Sequence, residues 1–195
     1  MRIIGIGGLS RSGKDTLAEF LIEKGYYGVS LGDIVRNASR QRHANEPDPI
    51  SVANMTETAN SLRHAKGADF ALKEAVGKFE AAGGEAKYKG LLVFSVRAPA
   101  EADFILSHGG QLIWLVANDQ VRYQRAMSAL RKGEAQISFD EFQRQEGLQW
   151  NPQPGIPSQA QMNAEYVKAH STATLDNSDN NLEKFKQAAQ KALKL

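Results

Sequence analysis

Residues 7 to 16 read GGLSRSGKDT, and the spacing of Gly8, four residues, Gly13 and Lys14 is that of a loop built to hold an anion. Glycines let consecutive backbone N–H groups turn inward, a helix following the loop adds the positive end of its dipole, and Lys14 can reach the terminal phosphates of a nucleotide. The expected ligand is ATP, held by Gly8, Ser10, Arg11, Ser12, Gly13, Lys14, Asp15 and Thr16. The pattern ordinarily places Ser or Thr at position 15 to bind magnesium, yet this chain has Asp15, with Thr16 next. A carboxylate is a hard oxygen donor suited to Mg2+, directly or through water, so Asp15 can replace the hydroxyl. It also complements a helix N-terminus, as any acidic residue in a first turn does.

Such a loop needs a strand before it and a helix after it. The run Arg2 to Ile6 is short, Ile-rich and bounded by glycine, as a buried parallel strand is, and Leu17, Phe20 and Leu21 repeat at helical spacing up to Gly25. Tyr26 to Ser30 reads as a second strand, after which Asp33 is placed to cap a helix starting at Ile34. Residues 44–51, ANEPDPIS, form a turn with Ser51 as N-cap, and Met55, Ala59 and Leu62 follow along one helical face. A helix from Ala68 to Ala82 ends at Gly83 and Gly84. GLLVFSV at 90–96 and QLIWLVA at 111–117 are apolar runs with the character of buried strands, separated by a helix from Pro99.

After Asp119 a polar helix carries Arg122, Arg125, Arg131 and Lys132, and a further helix lies around Phe139 to Gln145. WNPQPGIPS at 150–158, with three prolines and a glycine, is irregular. Ala173 to Leu175 reads as a last short strand, and Asn180 or Asn181 caps a closing helix whose Leu182, Phe185, Ala189 and Leu193 face inward. Strands alternating with helices imply an α/β fold around a mostly parallel sheet.

Three segments resemble known P-loop kinases. SRSGKDT is similar to the loop of bacteriophage deoxynucleoside monophosphate kinases and animal phosphomevalonate kinases, which tolerate GKD. GVSLGDIVR at 28–36 resembles the segment after the second strand of adenylate kinases, which implies that Arg36 clamps the acceptor phosphate and that Asp33 lies near the metal's water shell. An arginine fork suits the first role because it binds two phosphate oxygens at once. LLVFSVRAPAE at 91–101 resembles an archaeal family described as dephospho-CoA-kinase-like or adenylate-kinase-like. That likeness runs in order through GDIVR, LRHAKGADFAL, Arg97, the arginine helix at 122–131, FDEFQRQE and the DN at 176 and 177.

By this resemblance the fold is a three-layer P-loop NTPase fold with a helical acceptor-binding insertion and a lid. Arg97 is a second clamp on the acceptor phosphate, Asn177 belongs to the nucleotide site, and Asp15 and Asp33 serve the metal. Arg122, Arg125, Arg131 and Lys132 fall in the lid, with Arg125 and Arg131 expected at the transferring phosphoryl group. The core is expected at 1–36, 90–121 and 171–195, the acceptor region at 37–89, and the lid with its irregular connection at 122–170, all in one domain. One departure stands out: the family's strand-end Asp-Gly is Phe94-Ser95 here, so Asp15 and Asp33 remain the nearest carboxylates for a metal.

Composition limits the remaining choices. A chain of 195 residues with 42% hydrophobic and 24% charged residues suits one globular domain, and a net charge of +2 gives no polybasic surface for nucleic acid or membrane. The absence of cysteine excludes disulfides and thiolate chemistry, and His43, His64, His108 and His170 show no ligand spacing. No apolar run is long enough for a signal peptide or a membrane span, so a cytoplasmic protein is expected. Three functions fit: a kinase acting on a small phosphate-bearing acceptor such as a (deoxy)nucleoside monophosphate, a hydroxyl-directed kinase of the dephospho-CoA kinase kind, or a nucleotide switch or ATPase without an acceptor. Phosphate acceptors need no general base, and Phe94 occupies the position of the usual one, which favours the first.

Overall fold

The computed structural model describes residues 1–130, 136–150 and 161–195. Five strands, β1 (Ile3–Gly8), β2 (Tyr27–Ser30), β3 (Leu91–Val96), β4 (Gln111–Val116) and β5 (Ala173–Asp176), form one parallel sheet in the order β2-β3-β1-β4-β5. The helices are α1 (Lys14–Glu23), α2 (Leu31–Arg42), α3 (Val52–Lys66), α4 (Phe70–Ala81), α5 (Gly84–Lys87), α6 (Pro99–Ser107), α7 (Asp119–Ser128), α8 (Phe139–Trp150), α9 (Ala164–Ala169) and α10 (Leu182–Leu193).

Side chains alternate along each strand, so each face of the sheet acquires its own core. Ile4, Ile6, Leu92 and Ile113 pack with Leu17 and Leu21 of α1 and Phe185 and Leu193 of α10. Ile3, Leu91, Val93 and Leu112 pack on the other face with residues of α2, α4, α6 and α9. Each wholly buried Ile or Leu contributes roughly 1.5–3 kcal/mol, which makes the sheet a rigid platform for what its ends carry. The three-layer α/β architecture is the expected one.

Differences from expectation are local. β1 runs on to Gly8 because the ladder continues, Gly7 lying beside Val96 and Trp114 and Gly8 beside Leu115. The helix after β2 starts at Leu31, since the Ser30 hydroxyl accepts the Asp33 N–H at 3.1 Å; Asp33 is in the first turn and is not the cap. Ser51 and Asn181 are N-caps, as read. Leu182 is 45% exposed, whereas Phe185, Ala189 and Leu193 are buried, because the position just after the cap lies at the edge of the apolar stripe. The helices α5 and α9, of four and six residues, are too short to show a period. Trp150 closes α8, and the rest of the Pro-rich stretch, 151–158, lies outside the described residues, as do Arg131 and Lys132. No helix among the described residues is long and apolar enough to cross a membrane.

Candidate functional site

Parallel strands deliver their carboxyl ends to one edge of the sheet, and the loops leaving those ends surround a cleft of about 1380 Å³. The loop after β1 turns on Gly8 at φ 139, Arg11 at φ 59 and Gly13 at φ 103. Gly8 is required by close approach: a Cβ there would come within 2.7 Å of the Leu115 carbonyl and the Ser12 hydroxyl. Gly13 presses against the Asn177 amide, whose Nδ2 donates to the Ser12 carbonyl at 3.1 Å. The carbonyl side of the loop is thus fastened to the end of β5.

Lys14 opens α1 and is 8% exposed, its Nζ donating to the Gly8 and Leu9 carbonyls at 3.0 and 2.6 Å. Burial, with help from the Arg97 charge, lowers its pKa to about 7, against the opposing pull of Asp15. A buried lysine poised in this way gains its charge back when an anion arrives.

Two arginines of α7 tie the loop from the other side, and they do different work. Arg122 is 2% exposed and pairs with the buried Glu146 of α8; its Nη1 donates to the Ser10 carbonyl at 3.2 Å and its Nη2 to Asp119 at 2.7 Å. Glu146 in turn accepts the Ser10 N–H at 3.0 Å, so the backbone of this one loop residue is gripped on both sides. Burial pushes the Glu146 carboxyl up while Arg122 pulls it down, and the same guanidinium holds Asp119 below its ordinary value. Arg125 lines the cleft, donating to the Arg11 carbonyl at 3.1 Å and the Asn177 carbonyl at 2.6 Å, and it also pairs with Asn180.

The opposite wall comes from α2, α3 and the end of β3. Arg36 pairs with Asp33 one turn back on α2, and both line the cleft with Arg40, Arg63 and Arg97. Ser95, beside Arg97, adopts φ 67 where β3 bulges away from β1. That left-handed backbone is one a glycine would hold without strain, and Ser95 stands where the resembling family has its glycine. Phe94 packs with the core under α1 and does not line the cleft, so the strand end offers no carboxylate. Among the described residues the lining carboxylates are Asp15, Asp33 and Glu101.

The residues read from sequence fall into one place. Ser10, Arg11, Gly13, Lys14, Asp15, Thr16, Asp33, Arg36, Arg97, Arg125 and Asn177 line the same cleft, with Ser12 buried beneath the loop and Gly8 at its hinge. Arg122, read only as part of a basic helix face, is buried in the clamp on the loop. Sequence reading missed Arg40, Arg63, Glu101 and Glu146. Arg63 and Glu146 lie within LRHAKGADFAL and FDEFQRQE, and Glu101 ends LLVFSVRAPAE. The resembling stretches held the signal, but only the tertiary contacts assign these residues any work.

Residues 4–146 match the profile of the AAA domain family AAA_18, and the chain belongs to that family. A UPF0200 protein of Pyrobaculum aerophilum is 28% identical over 144 residues, 73% of this chain and 74% of that protein. The solved shikimate kinase from Bacteroides thetaiotaomicron superposes with a TM-score of 0.56 at 15% identity, over 99% of this chain and 98% of that one. A sugar kinase from Janibacter sp. HTCC2649 superposes with a TM-score of 0.52 at 17% identity, over 100% and 95%. At these identities the likeness shows the fold: a parallel sheet flanked by helices, of the P-loop kinase kind.

Proposed function

We propose that this protein is a P-loop phosphotransferase that moves the γ-phosphate of ATP onto a phosphate-bearing small molecule, most simply a (deoxy)nucleoside monophosphate. The observation that carries this reading is the division of one cleft into two cationic ends. Lys14 and Arg125 line the cleft beside the loop, Arg36, Arg40 and Arg63 line it from α2 and α3, and Arg97, at the end of β3, is near enough to Lys14 to lower its pKa. Phosphoryl transfer asks the protein mainly for alignment and charge neutralisation, which these groups supply. In the proposal Lys14 and Arg125 neutralise the nucleotide's phosphates, Arg97 lies between donor and acceptor, and Arg36 holds the acceptor. Arg131 belongs to the same proposal from sequence alone.

The donor set suits magnesium that arrives with its nucleotide. Among the described residues no group of three His, Cys, Asp or Glu side chains forms a protein cage, and Mg2+ ordinarily takes one or two carboxylates plus phosphates and waters. Asp15, with Thr16 beside it and Asp33 across the cleft, would hold the ion. When bound, the ion would spread the charge on the phosphoryl oxygens.

A phosphate acceptor has no proton to lose, and the lining carboxylates are placed accordingly. Asp33 is paired with Arg36, and Glu101 has one oxygen occupied by two backbone N–H groups. A hydroxyl-directed kinase is the second reading, supported by the likeness to the shikimate and sugar kinases and requiring one of these carboxylates to act as base. A coupled ADP-release screen with magnesium-ATP decides between them across nucleoside monophosphates, deoxynucleoside monophosphates, dephospho-CoA and shikimate. Turnover with a monophosphate is the expected result. Turnover only with hydroxyl acceptors would establish the second reading, and ADP release without any acceptor would establish an ATPase.

A further inference from the structure

Arg63 and Glu101 stand in stretches that carry the resemblance but receive no individual role from it, yet they are among the most buried charged residues described, 7% and 4% exposed. Both line the cleft. Arg63 lies in the last turn of α3, where exposed carbonyls favour a cation. Glu101 is fixed in the first turn of α6: its Oε2 accepts the backbone N–H groups of Arg97 at 2.8 Å and of Ala98 at 3.0 Å. Its Oε1 lies 4.0 Å from Nη2 of Arg63. One anchored carboxylate therefore orders both the peptide that presents Arg97 and the guanidinium of Arg63. Asn60, one turn before Arg63 on the same helix, lines the cleft as a neutral neighbour.

The carboxylates beside these arginines are already engaged: Asp33, the lining carboxylate of α2, is paired with Arg36, and Glu101 accepts two backbone N–H groups. A planar guanidinium lining a cleft is suited to bind two oxygens of an anionic ligand at once. Carboxylate-backed arginines are also held in one orientation, so little side-chain freedom is lost when a ligand binds.

We infer that Arg63 is a specificity-determining residue which, oriented by Glu101 and acting with Arg97, forms a seat for a doubly charged phosphoryl group of the acceptor. The inference rests on the two-ended cleft proposed above and specifies the chemistry of its second end. Arg63 touches the acceptor; Glu101 is a positioning residue that acts through Arg63 and Arg97.

The test is calorimetric titration of inorganic phosphate into the full chain with its loop saturated by magnesium-ADP, using wild type, Arg63→Met, Arg63→Lys and Glu101→Gln. Wild type binds phosphate, Arg63→Met weakens that binding about 30-fold, and Arg63→Lys recovers part of it, because a charge returns without the fork. Glu101→Gln weakens it about fivefold through loss of orientation, and magnesium-ADP affinity stays unchanged in all three variants. Acetate at equal ionic strength produces no comparable heat. Phosphate affinity untouched by Arg63→Met, an equal response to acetate, or no phosphate binding to the ADP-saturated wild type would each overturn the seat. Failure of wild type to bind magnesium-ADP overturns the nucleotide reading instead. The titration is then run on the free chain and on Lys14→Met, where loss of phosphate binding with Arg63→Met still supports the seat and its persistence rejects it. Circular dichroism checks folding, and Arg63→Lys carries the comparison if Arg63→Met does not fold.

Discussion

The two ends of the cleft are built on different principles. At the loop end the backbone is the working surface, and side chains serve to hold it: Arg122 and Glu146 grip the carbonyl and N–H of Ser10, while Arg125 and Asn177 take the carbonyls of Arg11 and Ser12. At the other end the side chains are the working surface, projected from α2, α3 and the end of β3, with Arg36 paired to Asp33 within α2 and Arg63 facing Glu101 of α6. A polyphosphate is common to many reactions and can be bound by a fixed peptide cradle. An acceptor distinguishes one reaction from another, and interchangeable side chains on helices are the natural place to vary it.

The comparison breaks most visibly at Lys14. Lys14→Met is expected to lower transfer by about a thousandfold or more, measured by coupled ADP release, because no other group opens α1 with a charge aimed at the phosphates. Next comes the difference between a buried and an exposed ion pair. Glu146→Ala removes the buried partner of Arg122, leaving it Asp119 alone as a carboxylate, and should cost about 2 kcal/mol in urea unfolding. Glu57→Ala, which removes an exposed partner of Arg42, should stay within about 0.5 kcal/mol. Equal losses would contradict the distinction between the buried pair that holds the loop and an exposed pair away from the cleft.

A smaller effect is expected at Asp15. Asp15→Asn should reduce magnesium-dependent turnover about 10- to 100-fold, and Asp15→Ser should restore most of it, since a hydroxyl is the usual donor at that place. Restoration by Asn rather than Ser would point to helix capping as the role. The smallest effect is a proton. Burial lowers Lys14 to about 7 from 10.5, so the free folded protein holds fewer protons than the unfolded chain between those values. Its stability therefore rises with pH across that window. A bound polyphosphate restores the charge, so nucleotide binding takes up protons there and weakens as pH rises. Calorimetry at about pH 8.5 in buffers of different ionisation enthalpy should show fractional proton uptake that disappears in Lys14→Met.

The legibility of the two ends in sequence follows from the same contrast. The loop is contiguous, nine residues from Gly8 to Thr16 between an apolar run and a helical repeat, so its spacing alone announces strand, cradle and helix. Arg36 and Arg97 could be singled out because each stands in a segment that resembles known kinases. Arg63 could not be assigned work, because what distinguishes it is burial beside Glu101, thirty-eight positions away. Glu146 meets Ser10 across 136 positions, a pairing that no local pattern encodes. Element boundaries failed where a competing group took the helix end: Ser30 caps α2, which moved its start ahead of Asp33. Phe94 shows the reverse case, a residue whose absent chemistry was plain from sequence and whose packing under α1 the fold explains.

The most direct test of a cleft with two separate phosphate ends is the affinity of magnesium-ADP for wild type, Lys14→Met and Arg36→Met, measured side by side. Loss of about a hundredfold in Lys14→Met with less than about a threefold change in Arg36→Met is the expected result. An Arg36→Met protein that loses as much ADP affinity as Lys14→Met, or a Lys14→Met protein that binds ADP as wild type does, would contradict it.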